Sequence, residues 1–192
     1  MKNNSSVTAF NGRRELGIVE VNKDNRTVVF SASSEYPAIR QDAESGEIYY
    51  EVLSHNPEDV DLSRMAGAPI LDNHDGDQIG VVESAEIRGG KMIVRARFGR
   101  SARAEEVFFD VVDGIRRNVS VGYMTTACID EERAEDGRRV LRFKWQPCEV
   151  SIVGVPADPT VGIGRKLAIP TKTAKKRSKK IIVIKTKKGN KK

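Results

Sequence analysis

Apolar and polar positions alternate over much of this chain, the mark of strands with one face in water. The clearest case is Lys91-Met92-Ile93-Val94-Arg95-Ala96-Arg97-Phe98, joined to Gln78–Arg88 through Gly89-Gly90, a two-residue turn free to take positive φ at both centres. Further strands are predicted at residues 27–33, entered from a turn at Asn25, at Ile48–Leu53, and at the short Pro69-Ile70-Leu71. Three more follow at 118–127, 139–145 and 148–155, the first two joined by an acidic hairpin loop from Asp130 to Gly137. Pro156, Pro159 and Gly162 end the last of them. Only residues 101–114 carry a clear helical period. Ala104, Val107, Phe108, Val111, Val112 and Ile115 share one face, Ser101 stands at the N-cap, and Gly114 stops the run. A second, shorter helix is predicted from Asn56-Pro57 to about Met65. Strands outnumber helices and hairpins dominate, so the expected class is mainly β (α+β): a small, mostly antiparallel barrel with peripheral helices.

Composition narrows the function more than the fold. At 192 residues with 39% apolar side chains, the chain can build a core without a disulfide or metal staple. Its longest aliphatic run is Ile181-Ile182-Val183-Ile184, far short of the ~20 residues of a membrane-spanning helix. Cys128 and Cys148 are too few for a disulfide framework and are not spaced with the two histidines as zinc ligands. No metal or cofactor is expected, nor a secretory leader, which makes a reducing cytoplasm the expected compartment. The net charge of +6 conceals a division, because eleven Lys or Arg and no acid fall between Lys172 and Lys192. The remaining 171 residues hold 22 basic and 27 acidic side chains, a net of −5. An acidic body with a basic tail results. The tail suits phosphate-type contacts that weaken steeply with salt; the body does not. Residues 1–14 are polar and expected to be flexible, and residues 166–192 to be a disordered basic extension.

Candidate chemistry is sparse. An imidazole base must be His55 or His74, and His74 sits where a short apolar strand opens into Asp72-Asn73-His74-Asp75-Gly76-Asp77. That loop is not a Ca²⁺ loop: its third and fifth positions are His and Gly, and the twelfth-position Glu is missing. Ser120 lies within Asn118-Val119-Ser120-Val121-Gly122-Tyr123, where alternation separates Val119 and Val121 from Ser120 and Gly122. The first glycine of a nucleophile elbow is absent, which excludes that arrangement. Glu149, in Cys148-Glu149-Val150-Ser151-Ile152, shares a face with Ser151 if Val150, Ile152 and Val155 are core. Its carboxylate needs a partner, either an arginine in a structural pair or a histidine that it orients.

In this order and spacing, Pro69-Ile70-Leu71 with His74-Asp75 and Ile79-Gly80, then Val119-Ser120-Val121-Gly122-Tyr123, then Glu149-Val150-Ser151-Ile152-Val153 with Pro156-Ala157, resemble the prohead (capsid maturation) serine proteases of tailed bacteriophages. That family is related in fold to the herpesvirus assembly proteases. The resemblance implies a protease domain over residues 15–165, a compact barrel wrapped by helices, and cleavage of scaffold or capsid-protein extensions, with self-cleavage, inside the immature shell in the host cytoplasm. Ser120 would be the nucleophile, His74 the general base and Glu149 the orienting acid, with His55 or Asp75 as substitutes in that third role. A serine hydroxyl attacks at neutral pH only when a base takes its proton, and a carboxylate on the far ring nitrogen favours the imidazolium that forms. Oxyanion donors, worth about 3–4 kcal/mol each, would come from backbone near Gly122 or from Arg116-Arg117. The arginine pair reads equally as a helix-end or surface ion pair. Cys148 reads as a small buried residue, and Trp145 and Phe108-Phe109 as core. Implied partners are the capsid protein and scaffold as substrates, a homodimer, and weak nucleic-acid contact through the tail. Two other readings stand beside the enzyme: a catalytically silent capsid or scaffold assembly component, and a nucleic-acid binder working through the tail.

Overall fold

The computed structural model describes residues 20–164; the expected flexible N-terminus and the basic tail lie outside the described residues. The elements in order are β1 (Glu20–Asn22), β2 (Thr27–Ser34), β3 (Ala38–Gln41), β4 (Ile48–Leu53), a 3₁₀ turn (Pro57–Asp59), β5 (Pro69–Asp72), β6 (Gln78–Arg88), β7 (Lys91–Phe98), α1 (Ala102–Val112), β8 (Val119–Arg133) and β9 (Arg139–Ile152). The strands form a single mixed sheet in the order β1-β2-β7-β6-β5-β9-β4-β3, with β8 on the other edge of β9. Strand β9 organises it. Its first half pairs in parallel with β4 (Val52↔Arg142), its last residues pair in parallel with β5 (Leu71↔Ser151), and β8 pairs antiparallel along its whole length.

The sheet curls into a half-barrel. Bulges supply the bend: register shifts at Ser31/Ser33 in β2, Val82/Ser84 in β6 and three places along β8 each add a residue to one strand and sharpen its twist. Inside the curl lie Val28, Phe30, Val82, Val94, Phe98 and Ile152, all at most 2% exposed. Helix α1 closes the core with Ala104, Val107, Phe108 and Val111. Ser101 caps it, its hydroxyl accepting the Ala104 N–H at 3.3 Å, and Phe108 meets Phe98 at a centroid separation of 5.4 Å. Burying one such phenyl ring contributes roughly 1.5–3 kcal/mol.

Several expectations need correction. The barrel does not close among the described residues, since β1, β3 and β8 each keep an unpaired edge. Among the described residues there is one α-helix rather than a wrapping set, and the predicted helix to Met65 shortens to the Pro57–Asp59 turn. The strands predicted at 139–145 and 148–155 are one strand running through Pro147. Phe109 and Val155 point outward, 57% and 90% exposed, while Trp145 and Phe108 are core as expected.

Trp145 and His55 are packed together under β9. The indole N–H donates to Ser54 O at 2.7 Å, and the His55 ring stands 5.4 Å away. A carbonyl can only accept, so the 2.9 Å contact to Leu53 O puts the His55 proton on Nδ1, and Nε2 accepts from the Ser33 hydroxyl at 2.8 Å. Burial holds the His55 pKa below its ordinary 6.5. Nearby, Asp59 is held down at about 2 by Lys144, Ser54 and Asn56. Both shifts act in one direction. The unfolded chain takes up a proton at His55 below about pH 6.5 that the folded chain resists, and one at Asp59 below about 3.8. Thermal stability is therefore expected to be full above pH 6.5, to fall below it, and to fall again between pH 3.8 and about 2. In a melting series from pH 8 to 2, His55→Gln should lose the upper decline and keep the lower; an unchanged upper decline would assign it to another group.

Candidate functional site

Three elements meet at the C-terminal ends of β5 and β9. The loop leaving β5 turns sharply: Asn73 adopts φ 63°, a left-handed conformation that asparagine tolerates, and a Cβ on Gly76 would lie 1.7 Å from Asp72 O. Only glycine fits there. The Asn73 N–H donates to Ile152 O at 3.0 Å, which ties the loop to the end of β9. Asp72 anchors its base, accepting from Arg103 Nε and Arg116 Nη2, both at 2.6 Å. Burial alone would raise the Asp72 pKa, but the two guanidinium groups outweigh it and hold the carboxyl below its ordinary value. Arg116 is thus committed to an ion pair and Arg117 Nε to Gly114 O at 2.8 Å, so the ion-pair and helix-end reading of this pair holds.

This loop presents His74, whose side chain is half exposed, over Glu149 on β9. The His74 Nδ1–H donates to Glu149 Oε1 at 2.7 Å, and the wholly buried Ser151 donates its hydroxyl to Glu149 Oε2 at 2.7 Å. Both carboxylate oxygens are engaged. Glu149 fits because its partner across the ladder is Gly122, where a Cβ would stand 2.5 Å from Oε1 and 2.8 Å from Cγ. The glycine of the Ser-x-Gly pattern makes room for the acid.

Ser120 lies opposite Ser151 in the β8–β9 ladder, partly buried. Among the described residues no hydrogen bond joins its hydroxyl to His74 or Glu149. It borders a cavity of about 50 Å³ with Leu53, Tyr123 and Asp158, room for a few water molecules. Along that cavity the Tyr123 hydroxyl donates to Glu51 and accepts from Arg40 Nη2 at 2.9 Å, while Arg40 Nε donates to Glu51 at 3.0 Å. Burial, with Glu51 acting against Arg40, pushes the Tyr123 pKa up to about 12.

The structure therefore joins two of the three expected residues, His74 and Glu149, and places Ser120 on the neighbouring strand. His55 belongs to the core, and Asp75 is exposed and takes no part in the His74 contact. Cys148 is half-buried with a free thiol. Sequence pattern does not reveal the Ser151 bond or the Asp72 clamp, although strand alternation sets Ser151 on the face of Glu149.

The chain is 48% identical over 149 residues to the major capsid protein of Halomonas phage phiHAP-1, a match covering 74% of this chain and 24% of that protein. This chain is related to a phage capsid polypeptide. It spans about a quarter of the relative's length. No family model matches, and no solved structure does. The kinship overturns the expected serine endopeptidase, because the relative is a major capsid protein, a structural component of the shell. A His-Glu pair on a β-framework serves equally as a lock between a loop and a strand, so the motif residues alone could not separate the two.

The close fit at Gly122 has a measurable consequence. Gly122→Ala must displace Glu149 from His74 and should cost about 1–3 kcal/mol, with faster amide exchange in residues 73–77. Gly154→Ala, where a Cβ meets nothing within 4 Å, should stay within about 0.5 kcal/mol of wild type. Equal effects of the two substitutions would contradict this account of Gly122.

Proposed function

We propose that this chain is an assembly component of a phage shell, a β-module that takes part in building the capsid. The observation that carries the reading is its high identity to a phage major capsid protein over most of its own length. The site supports it in kind. With Glu149 shared between His74 and Ser151, and Asp72 between two arginines, the exposed loop at 73–77 is held rigidly, as a contact surface in a repeating assembly must be. In this reading His74 and Glu149 lock the loop, and Ser120 lines the adjoining cavity. The partners are the capsid protein and the scaffold, met as assembly mates in the shell or its precursor.

The test is co-expression of the full chain with the capsid protein of its own phage, followed by gradient sedimentation and intact mass. The chain should co-sediment with particles, and Ser120→Ala should change neither particle yield nor any polypeptide mass. His74→Ala combined with Glu149→Gln should lower co-sedimentation several-fold. A chain left at the top of the gradient, or a processing event that Ser120→Ala abolishes, would overturn the proposal.

A further inference from the structure

Strand β8 has β9 on one side and no described strand on the other, and residues 124–133 are exposed without interruption. That leaves about 30 Å of backbone donors and acceptors facing water along one edge. Natural sheets guard such edges with charge, and here the guard is lopsided. Asp130, Glu131, Glu132 and Arg133 occupy the distal end, whereas residues 119–129 hold no charged side chain and no proline. Within that neutral stretch, Tyr123-Met124-Thr125-Thr126-Ala127-Cys128-Ile129 is rich in strand formers, the kind of segment that pairs with its own copies. Met124 and Ile129 are 48% and 40% exposed there. Thr126 and Ile129 are also the extra residues of two bulges, so β9 leaves them unpaired and their backbone groups add to what the edge offers.

We infer that this edge is an interface for a second copy of the chain, paired antiparallel about a two-fold axis at Cys128. The distribution of charge selects that arrangement. In a parallel, in-register pair Asp130, Glu131 and Glu132 would each face its own counterpart, which destabilises a sheet. Turned antiparallel about Cys128, Glu132 stands opposite Met124, Glu131 opposite Thr125 and Asp130 opposite Thr126, and the two acidic clusters move to opposite ends. The faces agree as well. On β9, Met124 and Glu132 are opposed by Gln146 and Val140, and Thr125 and Glu131 by Trp145 and Leu141. Each couple across the axis therefore already lies on one face of the sheet. Both copies use the same residues, so the contact closes at two chains and does not propagate. The inference does not rest on the assembly role, because the pairing is a property of this chain alone.

Sedimentation velocity of the purified full chain gives the first test. Dimers should form at submillimolar concentration. Cys128→Lys sets two ammonium groups face to face at an exposed position and should return monomers with an unchanged melting temperature. Disulfide trapping reads the geometry. With Cys148 replaced by serine, Cys128 should join two chains under mild oxidation at least tenfold faster than Lys23→Cys does as the only cysteine, Lys23 being equally exposed in the turn after β1. In chains without other cysteines, Met124→Cys mixed with Glu132→Cys should form mixed disulfides at least tenfold faster than either forms with itself. A chain that stays monomeric, or equal trapping at Cys128 and Lys23→Cys, would overturn the inference. So would dimers indifferent to Cys128→Lys, which place the contact elsewhere, and dimers in which Met124→Cys and Glu132→Cys each trap only themselves, which makes the strands parallel.

Discussion

Everything in this molecule is indexed to β9. One strand carries β8 along one edge and divides the other between β4 and β5, so three strands far apart in sequence take their register from fourteen residues. Both parallel pairings in the sheet lie here, and parallel strands need long connections before their contacts form. Trp145 fills the interval between the two parallel partners, and its N–H bond to Ser54 O seals the gap that neither β4 nor β5 covers.

That arrangement also builds the site. Glu149 comes at the end of the same strand, just before the residues that pair with β5, so the strand that sets the register also supports the loop that β5 releases. Glu149 faces His74 because Gly122 leaves it room, and the loop's base is held by arginines from α1 and the segment after it. Helix, loop and strand are joined by charge-assisted hydrogen bonds at a corner where the acids Asp72 and Glu149 are largely buried and His74 and Arg103 stay half exposed.

Much of this was legible from local pattern. Residues 78–98 announced their hairpin through alternation around Gly89-Gly90, and α1 through its apolar stripe and serine cap. Strand β9 was read in two pieces because a proline argues against a central strand. Pro147 is tolerated because it falls where neither β4 nor β5 pairs, so its missing N–H costs no bond to either. Strands β1 and β3 went unread: three and four residues long and half exposed, they carry too little alternation to register. Of the site, residue types and order gave His74 and Glu149 as partners. The clamp on Asp72 was invisible, since nothing local links positions 72, 103 and 116. The protease reading failed for a different reason. Side-chain identity reports which contacts can form, and a loop lock and a proton relay call for the same ones.

The strand that serves three partners also limits how this sequence can drift. Inserted or deleted residues disturb least in the turn at residues 134–138, beyond the last ladder pair of Arg133 with Arg139. A single residue added between Trp145 and Glu149 would reverse the facing of everything beyond it, swing the carboxylate away from the imidazole and offset β5 from β4. Variation in length among kindred sequences should therefore gather at the hairpin tip and spare the spine.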